Sequence, residues 1–166
     1  MPDTSEPEFC RTCIEGIRIP VLLLVTACGI MVALLLPPIA QPPGYHDFAD
    51  QRSLFGIPHI WNVLSNLAFV LAGGIGLAGV IGKAVSRCAL SPAYGVFFAA
   101  VILIGLGSAW YHLYPGNETL VWDRLPMAVA FMSFLAIIVG EYIDMRIGRQ
   151  LLLPLALLGV LSVWYW

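Results

Sequence analysis

Hydrophobic positions in this chain come in long unbroken blocks, not in the alternating or every-third patterns of a soluble fold. Uncharged apolar stretches occur at Ile19–Leu36, Ile57–Gly82, Cys88–Leu113, Leu125–Gly140 and Gln150–Trp166. Eighteen helical residues reach about 27 Å, close to the ~30 Å hydrocarbon core of a bilayer. Inside lipid every backbone amide must be satisfied within its own segment, so the blocks predict helices and not strands. The third helix is expected from about residue 91. The fourth block is short alone but crosses as Thr119–Tyr142 if Asp123 and Arg124 sit in its interfacial first turn. The expected architecture is all-α: a polytopic transmembrane helix bundle over residues 18–166 behind a polar tail at residues 1–17.

Composition strengthens that picture. Of 166 residues 60% are hydrophobic and 11% charged, and the mean hydropathy of +0.88 lies outside the soluble range. The net charge of -2 includes no basic block, which argues against a nucleic-acid partner. The tail carries Asp3, Glu6, Glu8 and Glu15 where a signal peptide would be basic, and the first apolar run ends in Leu36-Pro37-Pro38, so it reads as a retained anchor. Cationic residues alternate along the chain: Arg11 and Arg18, then Arg52, then Lys83 and Arg87, then Arg124, then Arg146 and Arg149. The positive-inside bias places the N-terminus in the cytoplasm and the loop Pro37–Leu54 outside it. Asn117-Glu118-Thr119 matches a glycosylation sequon on that outer side, a weak three-residue pattern. Cys10 and Cys13 form a lone C-x-x-C without the two further ligands a structural zinc needs, and read as an inert pair. The chain stops at Trp166 in mid-run, without a cap or flanking charge, which points to a piece of a longer protein.

Against this apolar background one polar island stands out. Ser108 and His112 are four residues apart and share a helix face at the outward end of the third span, and Asp123 opens the fourth after the tight connection Tyr114-Pro115-Gly116-Asn117. Ionisable groups at a membrane edge are costly, so such a cluster reads as functional. A Ser-His-Asp triad is allowed by composition, but side chains at i and i+4 run parallel and no nucleophile elbow accompanies the serine. A metal reading suits the residues better, with His112 as ligand, Asp123 accepting a proton from water and Ser108 holding water or substrate. His46 and His59 are the other histidines, both expected on the outer side, and the plain alternative for each is an interfacial ring with its polar edge in headgroup water. Asn62, Ser65 and Asn66 form a second polar stripe, as interhelical packing groups or as support for the site. Gly73, Gly74, Gly76, Gly79, Gly82, Gly105 and Gly107 are expected to permit close helix approach.

Three segments carry a resemblance: Gly56-Ile57-Pro58-His59-Ile60-Trp61-Asn62-Val63-Leu64-Ser65-Asn66, then Gly107-Ser108-Ala109-Trp110-Tyr111-His112, then Trp122-Asp123-Arg124-Leu125-Pro126-Met127. In their order and spacing the chain resembles the alkaline ceramidase family, in particular its bacterial members, within the superfamily of seven-helix membrane hydrolases that includes the progestin and adipoQ receptors. The similarity runs from about Tyr45 to the end. It implies five spans of a larger seven-helix-type core plus one extra N-terminal helix, Ile19–Leu36, in a bacterial plasma membrane with the site toward the outer side. It further implies hydrolysis of a lipid amide, ceramide to sphingoid base plus fatty acid, with His112 as a zinc ligand, Asp123 as general base and Ser108 steadying water or the oxyanion. Asn62 and Asn66 would support the site.

Two departures accompany the resemblance. The family takes two further zinc histidines from an H-x-x-x-H pair on its last helix, which this chain lacks, ending roughly three helices early; weak zinc binding and an inactive fragment are therefore expected outcomes. The family's acidic calcium site carries a glutamate where His59 stands, with Asp47 and Asp50 close by, which leaves the calcium set short of an acid. Two other readings compete: a receptor-like or structural protein with the same fold and no turnover, and a haem subunit using His59 and His112.

Overall fold

The computed structural model describes residues 8–37, 41–82 and 88–165, with the side chains of 8–19, 22 and 23 left aside. The chain divides into two units, Met1–Ile39 and Ala40–Trp166. The first holds helix α1, Glu8–Leu35. It starts well before the apolar run expected at Ile19, because Glu and Arg in the polar segment are good helix formers, and it continues through Gly16 and Pro20. Among the described residues, Leu24–Leu35 is an apolar stretch of this helix. The side chains of Cys10 and Cys13 lie outside the described residues.

The second unit carries α2 (Ile60–Ser65), α3 (Leu67–Ile81), α4 (Ser91–Leu113), α5 (Asn117–Tyr142) and α6 (Met145–Tyr165), after a short 3-10 turn at Pro43–His46. Among the described residues, four segments are long and apolar enough to cross a membrane: Ile60–Ile81, Ser91–Leu113, Asn117–Tyr142 and Met145–Tyr165. The protein is an all-α membrane helix bundle in which α3, α4, α5 and α6 pack in chain order.

Two boundaries differ from the sequence expectation for identifiable reasons. The second apolar block is long enough for one crossing, as Ile60–Ile81, but its helix breaks at Asn66. There the Ser65 hydroxyl and the Asn66 amide both donate to the Asn62 carbonyl, at 2.9 and 2.8 Å, and displace the backbone amide that would normally bond it. The sixth helix begins at Met145, five residues before Gln150, because Asp144 caps it: its carboxylate accepts the amides of Arg146 and Ile147 at 2.8 and 3.0 Å.

Glycines set the seams, though not all of those expected. Gly73 and Gly76, one turn apart, face Phe98 and Ile102 of α4, and Gly105 faces Asn66 and Val70. Gly74 and Gly79 face open space, and Gly82 meets only carbonyls of its own helix. A three-residue spacing puts only some of a glycine run on the packed face. Between α5 and α6, Gly148 lies directly on Gly140, and Gly159 on Ala128 and Met132.

Candidate active site at the α4–α5 head

Pro126 is the local cause of the site's geometry. It lies inside α5 and has no amide to bond the carbonyl four residues back, that of Trp122. A β-carbon on Gly107 would land on this carbonyl oxygen, so only glycine lets α4 seat there. The seam is thereby pinched at Gly107 against Trp122 and Asp123, which sets Ser108 beside Asp123.

Below the pinch a cavity opens between α3, α4 and α5. Ser108 and Asp123 line the head of a cavity of about 770 Å³ whose remaining walls are apolar: Phe97, Phe98, Val101 and Ile104 from α4, Met127, Ala130, Phe131 and Phe134 from α5, and Phe69 and Ala72 from α3. Ser108 to Phe97 spans eleven residues of helix, roughly 16 Å at 1.5 Å per residue. The shape is a long greasy slot with a hydroxyl and a carboxylate at one end.

His112 stands one turn above Ser108. Its Nδ1 is buried and has no hydrogen-bond partner, while Asp123 and His59 lie within electrostatic reach of the ring. In a Ser-His-Asp triad that nitrogen would be held by the carboxylate, and it is not. The ring of Phe48 packs on His112 at 4.5 Å between centroids and on His59 at 5.1 Å. Phe48 fills the space a haem between these two histidines would need.

The other two histidines are spoken for. His46, expected as an interfacial ring in headgroup water, bonds the Tyr111 hydroxyl through Nδ1 at 2.8 Å and the Asn117 side-chain oxygen through Nε2 at 3.1 Å. Asn117, the sequon asparagine, is thus engaged within the protein. His59 takes the left-handed conformation (φ 48°, ψ 44°) just before α2, and its Nδ1–H donates to the Asp50 carbonyl at 2.5 Å. The Asp50 carboxylate accepts the Trp61 amide at 2.9 Å and the Arg52 amide at 3.2 Å. Desolvation alone would raise its pKa, but amides of Trp61, Arg52 and Asn62 with the Arg52 charge together hold it below the usual 3.8. Both carboxylate oxygens and the carbonyl of Asp50 are thus engaged by neighbouring residues of the chain, and Asp47 is exposed.

Zinc fits only at one point. The orphaned Nδ1 of His112 suits a metal, but among the described residues no group of three His, Cys, Asp or Glu is placed to hold an ion. Of the stripe Asn62, Ser65 and Asn66, the Ser65 and Asn66 side chains bond the Asn62 carbonyl on their own helix, and Asn66 is buried against Gly105. Sequence reasoning missed Phe48, Tyr111 and Asn117, whose contacts arise only when the loop before α2 folds back on the helix ends. The one available signal was the polar residue His46 beside Phe48.

A family model described as Ceramidase matches residues 56–166. The chain belongs to the ceramidase family. The match covers about two thirds of the 166 residues and includes α2 to α6, so the chain is of the ceramidase-like membrane hydrolase class. Comparison with curated proteins and with solved structures gave no match.

Proposed function

We propose that this ceramidase-family chain hydrolyses the amide bond of a ceramide-like lipid at the head of the α4–α5 cavity, on the non-cytoplasmic side of the membrane. The observation that carries the reading is the slot itself: one hydroxyl and one carboxylate at the mouth of an otherwise apolar cavity of about 770 Å³. An acyl chain occupies the aromatic-walled length, which brings its amide carbonyl to Ser108 and Asp123. Asp123 takes a proton from a water molecule as it adds to the carbonyl carbon, and Ser108 donates a hydrogen bond to the oxygen that becomes negative. The C–N bond then breaks, the nitrogen leaves with the proton held by Asp123, and a fatty acid and an amine are released.

His112 is the residue of this chain that would ligate zinc, an ion whose chemistry is to lower the pKa of its water to about 7. Because the described residues form no three-ligand set, the steps above use the chain's own groups alone. That same observation favours a second reading, lipid binding without turnover on the same fold.

One assay separates the two. Purified protein in lipid nanodiscs is given a fluorescent ceramide, and both fatty-acid release and retained lipid are measured for the wild type and for Asp123→Ala and His112→Ala. Release that disappears in Asp123→Ala supports the enzyme, and its loss in His112→Ala as well supports a metal held there. Lipid retained without release supports the second reading, and release equal in all three proteins sinks the assignment.

A further inference from the structure

His112 Nδ1 is buried without a partner, and an unsatisfied buried polar atom is an energetic liability that a resting fold ordinarily avoids. The residue packed on that ring is Phe48, carried by the segment between the 3-10 turn and α2. The backbone of this segment makes few bonds to the helices it covers: Tyr45 and Asp47 bond Pro42 and Gly44 at 2.9 and 3.3 Å, Leu54 and Ile57 bond each other at 3.2 and 3.0 Å, and Ile60 to Arg52, at 3.3 Å, ties it to α2. What holds it down is side chains. At one end His46 bridges Tyr111, next to His112, and Asn117, the first residue of α5. At the other, Asp50 is fixed to the start of α2. Segments with few backbone bonds open at far lower cost than the helices they cover.

We infer that residues 45–59 form a strap over the site, latched by His46 and plugged by Phe48, which must lift before the His112 imidazole can meet a metal ion or a substrate group. Phe48 is a gating residue and His46 its latch; neither touches the reacting atoms. The significance of the strap rests on the functional reading above, but its opening does not, because accessibility can be read without metal or turnover.

The test is deuterium exchange at the imidazole C2–H, resolved by mass spectrometry for the chain's three histidines, on the full protein in nanodiscs. Loss of the latch in His46→Ala is expected to speed exchange at His112 about tenfold, equivalent to ~1.4 kcal/mol of opening free energy. Phe48→Ala is expected to do the same, and Phe48→Leu, which still covers the ring, to restore slow exchange. Backbone amide exchange along α4 and α5 serves as the folding control and is expected to stay at the wild-type level. Exchange at His112 that is already fast in the wild type, or is unchanged in both alanine variants, overturns the strap. A loss of helix protection that accompanies faster His112 exchange in Phe48→Leu as well as Phe48→Ala also overturns it, since the ring would then be supporting the fold and not gating the site.

Discussion

The two seams of α5 behave differently. Toward α6, glycine meets backbone at both ends: Gly148 on Gly140 near the turn, and Gly159 on Ala128 and Met132 further along. Toward α4, a close contact forms at the head, Gly107 on the Trp122 carbonyl, and phenylalanine rings line the space beneath it. One seam closes along its length; the other opens into a slot. The difference teaches that a membrane helix pair without a hydrophobic driving force closes only where small residues recur. Beside α4, Gly107 meets backbone at the head and Gly140 meets only the Leu90 side chain at the far end, and the phenylalanine-lined stretch between them leaves room for a lipid chain.

The comparison can be broken most forcefully at the polar head of the open seam. Removing the proton acceptor in Asp123→Ala is expected to cut amide hydrolysis by about 10²-fold or more without moving the melting temperature by more than a few degrees. Hydrolysis and thermal unfolding measured on the same preparation check both halves of that statement.

In the closed seam the expected damage is to stability. Gly148→Ala would drive a β-carbon into the Gly140 backbone, for a cost of ~1–3 kcal/mol. The same change at Gly74 or Gly79, which face open space, is expected to stay within about 0.5 kcal/mol. Equal loss at all three positions would show that the seams are not distinguished by glycine contact.

A third substitution sharpens the contrast by filling the slot. Ala130→Phe places a ring among Phe97, Met127 and Phe134 and is expected to shift hydrolysis toward short acyl chains by about tenfold. Competing ceramides of two chain lengths would report it, and an unchanged preference would place the acyl chain elsewhere.

The smallest effect belongs to Asp50. Its folded-state pKa lies below the usual 3.8, so the stability it contributes is present above that value and is lost as pH falls through the lower folded value. The wild type is therefore expected to melt above Asp50→Asn at neutral pH, with the gap narrowing below about pH 4. A gap constant across that range would remove the carboxylate from the account of the strap.

Much of the fold was legible because lipid allows so few alternatives. The third span was expected from about residue 91 to Leu113 and runs Ser91–Leu113; the fourth was expected at Thr119–Tyr142 and runs Asn117–Tyr142. The errors came from short polar side chains acting on backbone: Ser65 and Asn66 breaking the second span, and Asp144 starting the sixth helix early. At the site, the placement of Ser108 beside Asp123 could be anticipated from the tight connection between helices, but its cause, Pro126 leaving the Trp122 carbonyl for Gly107, could not. The fold-back of His46 onto Tyr111 across 65 residues of sequence leaves no periodic trace, and so the bonds its ring makes within the protein could not be anticipated.

The central claim is that the acyl chain lies in the slot between α3, α4 and α5, with its head at Ser108 and Asp123. The most direct measurement is photocrosslinking with a ceramide bearing a diazirine in its acyl chain, followed by mapping of the labelled residues. Label is expected on Phe97, Phe98, Phe131 and Phe134, together with its displacement by unlabelled ceramide. Label confined to the opposite face of the same helices, at Leu106, Trp110 and Trp122, would contradict it.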